Sequence, residues 1–198
     1  MAASLGAAFA GVIFAGGPRE LTPARAHAVH SATEGAVQRV GVFGADFRDR
    51  IPAVVAVDAL DVVQLHGDPT PADIQAARGL FGGEVWAAIR VEGDQIPVGA
   101  VDLFVEADAV LLDARAPGRL GGSGVALPWG RIAEAVGRIR SDSRLVLAGG
   151  LTAENVAEAV AALMPDVVDV SSGVEWAPGI KDHARMMAFV RAATGSLG

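Results

Sequence analysis

The chain has 198 residues, a length that suits one domain with a substantial core. Its net charge is −7, and lysines and arginines number only 16, so we expect no nucleic-acid or membrane partner, since both need a basic patch. There is no cysteine, which excludes disulfides and thiol chemistry by these residues, and the four histidines show no metal-binding spacing. We therefore expect no metal and no other cofactor.

The first 18 residues, Met1 to Pro18, carry no charge and superficially resemble a signal peptide. They lack both the basic start and the small-residue cleavage site of such a peptide. A buried strand is the favoured interpretation, and it makes a cytoplasmic location the expectation.

Short apolar runs alternate with helical patterns along the rest of the chain. The runs predict seven strands, at Ala10–Phe14, Arg39–Phe43, Val62–His66, Val85–Arg90, Ala109–Asp113, Leu145–Ala148 and Val167–Val170. Helices are predicted at Ala24–His30, Ala45–Val57, Ala72–Arg78, Ile96–Val105, Trp129–Arg140, Ala153–Leu163 and Asp182–Ala193. This alternation predicts parallel strands joined by right-handed crossovers.

Two α/β folds satisfy this pattern, a (β/α) barrel and a doubly wound open sheet. The barrel is favoured, because no G-x-G-x-x-G opens the first helix and polar clusters end at least five strands. Such a barrel has eight strands, and Met1 to Ala7 looks like the last turn of a helix and its exit loop. We expect one (β/α)8 TIM-barrel domain over residues 1–198, truncated at its N-terminus, with the first strand and most of the first helix absent. The open edges of the first and last predicted strands would then favour a homo-oligomer or an ordered filler segment.

Chemistry in barrels of this class lies at the C-terminal ends of the strands. Asp113 ends a buried run, where desolvation favours a proton-bearing carboxyl that acts as a general acid; a helix or loop cap is the alternative. Arg19 follows the first predicted strand, as a carboxylate ligand or as a solvated loop residue. His66 ends another strand, as a donor to substrate or as a structural histidine.

Glycine and serine clusters end the last two predicted strands. Backbone amides and hydroxyls at Gly149, Gly150, Ser171, Ser172 and Gly173 are typical of a phosphate site, although glycine pairs also serve plain turns. The loop Gly121 to Gly124 follows Asp113 and is either a mobile cover for the site or a linker.

These clusters together resemble phosphoribosylanthranilate isomerase from about Leu5 to the C-terminus. Gly16 to Arg19 stands where that family has a Ser-Pro-Arg turn. The other matching motifs, in family order and near family spacing, are Gln64-Leu65-His66-Gly67, Leu112-Asp113, the Gly121 to Gly124 loop, Leu147 to Leu151 with Glu154-Asn155-Val156, and Asp169 to Glu175 followed by Pro178 to Asp182.

The resemblance implies an Amadori rearrangement of a phosphorylated aminosugar, with no cofactor. Asp113 would protonate the furanose oxygen, and Arg19 would hold the anthranilate carboxylate. His66 and Asp169 would contact the substrate. The phosphate would be held at the glycine and serine clusters.

One motif of the family has no counterpart in this sequence. The family's first strand ends in Lys-x-Cys-Gly, whose cysteine is the general base, and Leu127-Pro128-Trp129 replaces the usual Phe-Asp-Trp. One explanation is a start assigned too late, and a second is an inactive or non-enzymatic phosphate-binding remnant. A third is another sugar-phosphate barrel enzyme, such as indole-glycerol-phosphate synthase or an epimerase. The synthase needs a lysine on an early strand, and the sole lysine is Lys181.

Overall fold

The computed structural model describes residues 1–115 and 129–195, so the predicted loop at 121–124 and the helix start at Pro128 lie outside the described residues. A short 3-10 helix at Ala3–Leu5 comes first. The strands are β1 (Phe9–Ile13), β2 (Gln38–Phe43), β3 (Val62–Leu65), β4 (Glu84–Glu92), β5 (Ala109–Arg115), β6 (Arg144–Ala148), β7 (Val167–Val168), β8 (Glu175–Ala177) and β9 (Ile180–Lys181). The helices are α1 (Pro23–Ser31), α2 (Phe47–Val55), α3 (Pro71–Leu80), α4 (Ala100–Glu106), α5 (Trp129–Gly137), α6 (Val156–Leu163) and α7 (His183–Gly195).

Strands β1 to β7 belong to one seven-stranded sheet in chain order. The pairs β1–β2, β2–β3, β3–β4, β5–β6 and β6–β7 are parallel. A doubly wound sheet would reverse its strand order at a switch point, so the observed order contradicts that alternative. The predicted parallel α/β sheet is confirmed. The eighth strand stays a prediction; among the described residues, β1 and β7 each pair with one neighbour in the sheet.

Two predicted boundaries near the end of the sheet were wrong. β7 stops at Val168 instead of Val170, because the backbone turns at Ser171. One more sheet-like hydrogen bond follows the strand, from the N–H of Asp169 to Leu147 O at 2.8 Å. α6 begins at Val156 instead of Ala153, because residues 153–155 form a turn that the Asn155 side chain closes by accepting from the N–H of Thr152 at 2.8 Å.

Three helix predictions were also too long. α2 covers Phe47–Val55 rather than Ala45–Val57, and α5 ends at Gly137 rather than Arg140. α4 begins at Ala100 rather than Ile96, since Gly99 has φ +90° and breaks the helical backbone before it. α7 instead follows its cap: Asp182 Oδ1 accepts from the N–H groups of Ala184 and Arg185 at 2.9 and 3.0 Å.

An antiparallel hairpin of β8 and β9, absent from the sequence prediction, follows β7. Glu175 pairs with Lys181 and Ala177 with Ile180 across it. Pro178-Gly179 forms the connection, and the φ of +80° at Gly179 suits the third position of a type II turn. Strands of two or three residues leave no periodicity to detect, so the Pro-Gly pair was the available signal.

The described residues form two compact units. The first comprises Met1–Ala88 with Glu106–Asp108, and in its core the rings of Phe14 and Phe43 stack with centroids 5.2 Å apart. The second comprises Ile89–Val105 and the residues from Ala109 onward, and its core includes the fully buried Leu111, Leu145 and Ile132. No helix among the described residues is long and apolar enough to cross a bilayer.

An aspartate immediately precedes β3, β5 and β7 and repeats one contact at the N-terminal ends of the strands. Each carboxylate accepts a hydrogen bond from a backbone N–H near the start of the preceding strand: Asp61 from Arg39 at 2.8 Å, Asp108 from Val85 at 2.8 Å, and Asp166 from Leu145 at 2.7 Å. Each also pairs with an arginine, respectively Arg39, Arg78 and Arg140. The repeated contact fixes where the strands start, at their N-terminal ends. The C-terminal ends of the strands are not held by these contacts.

Candidate active site

Asp113 lies near the C-terminal end of β5. The strand continues to Arg115, so the prediction that it ends at Asp113 was wrong by two residues. Asp113 is 4% exposed and lies opposite Ala148, the last residue of β6. The residues Ala109 to Leu112 before it are fully buried. β5 therefore carries a carboxyl from an apolar core to the edge of the sheet where barrels place their chemistry.

The turn after β6 depends on two glycines with left-handed backbones. Gly149 has φ +90° and Gly150 has φ +62°, conformations that other residues rarely adopt. The Asn155 side chain stabilises the turn by donating from Nδ2 to Gly150 O at 3.1 Å. The chain then enters α6 at Val156, so this turn leads into a helix N-terminus, where backbone N–H groups favour anions.

The turn after β7 packs directly on the turn after β6. A Cβ atom at Gly173 would lie 1.9 Å from Leu151 O, a distance no side chain tolerates, so only glycine fits there. Ser171, Ser172 and Asp169 are exposed on the same turn. The structure thus brings together the two segments that the sequence analysis assigned to phosphate, and it places Asp169 at the start of the second one.

Arg19 and His66 belong to the first unit. Arg19 lies, partly exposed, in the turn after β1, which closes where the N–H of Leu21 donates to Ile13 O at 2.9 Å. The predicted strand ended at His66, but β3 ends at Leu65, so His66 is the first residue after the strand. The amide nitrogen of buried Gln64 lies 3.2 Å from His66 Nδ1. Because that amide donates, neutral His66 accepts at Nδ1 and carries its proton at Nε2, as a donor to substrate requires. Gln64 was not among the site residues predicted from the sequence.

A cavity of about 440 Å³ opens at the N-terminal ends of β1 and β2 in the first unit. Two buried side chains in its wall interact: His30 Nδ1 lies 2.6 Å from Asp58 Oδ2, and His30 Nε2 lies 3.1 Å from Ala10 O. These contacts tie α1 to β1. In barrels the N-terminal ends of the strands contribute to stability, whereas active sites lie at the C-terminal ends. The cavity is therefore a poor candidate for the active site. No three acidic or histidine side chains in 1–115 and 129–195 group as metal ligands.

Comparison with known proteins decides the family. The family model described as N-(5'-phosphoribosyl)anthranilate (PRA) isomerase matches residues 1–192. The chain belongs to the PRA isomerase family. This confirms the resemblance stated from the sequence motifs, and with it the enzyme class, since members of the PRA isomerase family are isomerases of tryptophan biosynthesis.

Individual PRA isomerases match over nearly their whole length. The N-(5'-phosphoribosyl)anthranilate isomerase of Acidithiobacillus ferrooxidans is 43% identical over 197 residues, which cover 98% of this chain and 91% of that protein. The crystal structure of the Thermotoga maritima enzyme has a TM-score of 0.83 at 34% identity and covers 97% of this chain and 90% of its own. A PRA isomerase solved in complex with reduced 1-(o-carboxyphenylamino)-1-deoxyribulose 5-phosphate has a TM-score of 0.80 at 31% identity, with the same coverage.

Proposed function

We propose that the chain isomerises N-(5'-phosphoribosyl)anthranilate to 1-(2-carboxyphenylamino)-1-deoxyribulose 5-phosphate, an Amadori rearrangement. The observation that carries this proposal is the buried carboxyl of Asp113 near the C-terminal end of β5, in the same unit as two glycine turns that pack on each other. Membership of the PRA isomerase family supports the substrate. The reaction is an isomerisation in which C2 and its hydroxyl lose protons while C1 and the former ring oxygen gain them, and we propose that it uses no cofactor or metal.

Asp113 is proposed to start the reaction as general acid. It protonates the ring oxygen of the ribose, and the bond from that oxygen to C1 breaks to give a Schiff base between C1 and the anthranilate nitrogen. A base then takes the proton from C2 to give an enolamine. Return of a proton to C1, with loss of the proton from the C2 hydroxyl, gives the ketone product. A carboxyl that enters the site from an apolar strand is suited to hold the proton needed for the first step.

The second step needs a base to remove the proton from C2. In the family this is the cysteine of the Lys-x-Cys-Gly motif, and these 198 residues contain no cysteine. We propose that they turn over slowly alone. An added strand and helix with that cysteine, placed ahead of Ala2 to complete a (β/α)8 barrel, should raise turnover at least ~10²-fold, the lower end of general-base contributions. A serine version of the added segment is the control, since it supplies the strand without the base. Equal activity with serine would refute the proposal.

The phosphate is proposed to bind at the two packed turns. Backbone amides around Gly149, Gly150 and Gly173, with Ser171 and Ser172, would surround it, because exposed amides and hydroxyls near a helix start favour anions. Phosphate at about 100 times its Kd should then stabilise the chain by about 2.7 kcal/mol. Melting temperatures in phosphate and chloride at matched ionic strength measure this, and equal values would count against the site.

The other substrate contacts are assigned to single side chains. We propose that Arg19 binds the anthranilate carboxylate through its planar guanidinium, and that His66 Nε2–H and Asp169 bind ribose hydroxyls. The proton on His66 Nε2 depends on Gln64, because the Gln64 amide contacts the other ring nitrogen, Nδ1. Self-association as a homo-oligomer and a cytoplasmic location stay predictions.

Asp113→Asn tests the central assignment. The variant keeps nearly the same shape but lacks an acidic proton, so turnover should fall at least ~10²-fold while the melting temperature and phosphate binding stay unchanged. Asp142→Asn, which changes an exposed carboxylate in the same unit, is the control and should retain activity. Both are best assayed with the cysteine-bearing segment added. Retained turnover in Asp113→Asn would remove this residue from the role of acid.

A non-enzymatic phosphate-binding protein is the second candidate, favoured by the lack of cysteine. It predicts phosphate stabilisation without turnover, even after the cysteine-bearing segment is added. The same two assays therefore separate the candidates.

A further inference from the structure

Lys181 is the chain's sole lysine and lies on β9, close to the turn after β7. Its Nζ lies 3.0 Å from Ser171 O and 3.1 Å from Glu175 Oε1. Glu175 is directly opposite Lys181 in the hairpin register, so the two side chains share one face of the hairpin. One ammonium group thus joins the hairpin to the turn.

The partner of this ammonium is buried. Glu175 is 5% exposed, and a buried carboxylate is costly unless a cation or hydrogen-bond donor compensates it. Its backbone carbonyl is held as well, since Arg185 Nη1 donates to it at 2.6 Å from α7. Lys181 therefore projects from a hairpin whose other strand is held to α7.

The contact with Ser171 determines the direction of a peptide group. Ser171 has φ −112° and ψ −82°, outside the helical and extended regions. Its carbonyl accepts from the N–H of Val174 at 3.4 Å and from Lys181 at 3.0 Å, so the lysine makes the shorter contact, and a charge-assisted one. In a trans peptide, C=O and N–H point in opposite directions. Holding the Ser171 carbonyl toward Lys181 therefore aims the N–H of Ser172 away from the hairpin.

We propose that Lys181 is a positioning residue for phosphate recognition, acting through the Ser171 carbonyl to orient the Ser172 amide toward the anion. This inference rests on the proposed phosphate site at the packed turns. A brace with no link to the ligand would behave differently: Lys181→Met would then lower stability by removing the ammonium from the buried carboxylate of Glu175 but leave phosphate affinity unchanged.

Three variants separate these roles. Lys181→Met keeps the aliphatic stem but removes the donors, and Lys181→Arg keeps charge and donors. Arg138→Met is the control, since it removes one positive charge just after α5 from an exposed pair with Glu134. Phosphate affinity is measured from melting temperatures over a phosphate series, against chloride at matched ionic strength. We expect Lys181→Met to bind at least tenfold more weakly, Lys181→Arg to stay within about threefold of the parent chain, and the control to be unchanged.

The outcomes distinguish this inference from the proposed function. Unchanged phosphate affinity in Lys181→Met, with binding intact in the parent chain, would overturn the positioning role and leave the phosphate site standing. No phosphate binding by the parent chain would overturn the site itself, and the positioning role with it.

A second measurement needs no substitution. Because the chain has one lysine, labelling lysine with 13C at Cε gives a single signal that reports on Lys181. Added phosphate should shift this signal in a saturable way, whereas chloride at the same ionic strength should not. No difference between the two anions would overturn the inference, even if Lys181→Met fails to fold.

Discussion

Replacing Gly173 with alanine tests whether contact between the two turns shapes the phosphate site. The new Cβ would lie 1.9 Å from Leu151 O and 3.0 Å from Leu151 C, and the nearer contact must open by about 1 Å to be tolerated. Overpacking of this kind costs about 1–3 kcal/mol. A shift of 1 Å also moves amide donors out of the narrow range in which hydrogen bonds form. We therefore expect lower stability and at least ~10-fold weaker phosphate binding.

Urea unfolding with and without phosphate measures both effects in Gly173→Ala. Gly130→Ala is the matched control, because Gly130 lies in α5 and a Cβ atom added there would meet nothing within 4 Å, and it should gain about 0.5–1 kcal/mol from helix propensity. If Gly173→Ala unfolds within about 0.5 kcal/mol of the parent chain and binds phosphate equally well, the packed-turn argument is wrong.

Three further predictions concern polar contacts of aspartates away from the site. His30→Phe strands the buried carboxylate of Asp58 and should cost about 3–5 kcal/mol in urea unfolding, whereas loss of the exposed His27 contact in His27→Phe should cost under about 1 kcal/mol. Asp166→Ala leaves the N–H of Leu145 without its acceptor and should cost about 1–3 kcal/mol. The hydrogen bond from Arg39 lowers the pKa of Asp61, so the unfolded state takes up a proton first, and this stabilisation is lost as pH falls below about 4; melting curves of Asp61→Asn should show a smaller acid-induced loss than the parent chain.

The sequence predicted the sheet well because its strands are buried on both faces. Runs such as Ala109 to Leu112 are apolar at every position, which is how parallel strands appear in a sequence. Their ends were less accurate. β5 passes through the polar Asp113, and β7 stops before the apolar Val170, so composition alone did not locate either boundary.

The contacts that organise the site were mostly beyond the sequence. The glycine and serine clusters indicated a phosphate site, but nothing local shows that Gly173 packs on Leu151 or that Lys181 reaches Ser171. These pairs are set by how neighbouring turns and the hairpin pack. Gln64 and His66 are the exception, since alternate residues of a strand face the same side and their contact follows from spacing.

The two edges of the sheet divide stability from recognition. At the N-terminal ends, Asp61, Asp108 and Asp166 each bind a backbone N–H and an arginine, contacts made of charges and main chain that fix where the strands begin. At the C-terminal ends, the turns use left-handed glycines, which gain little from regular hydrogen bonding but expose amides to a ligand. Because the strand starts are held by these contacts, the turns at the other ends can adopt backbone conformations that expose amides to an anion. It follows that Asp166→Ala should lower the free energy of unfolding with phosphate affinity kept, whereas Lys181→Met should weaken phosphate binding as well as remove the ammonium from the buried carboxylate of Glu175.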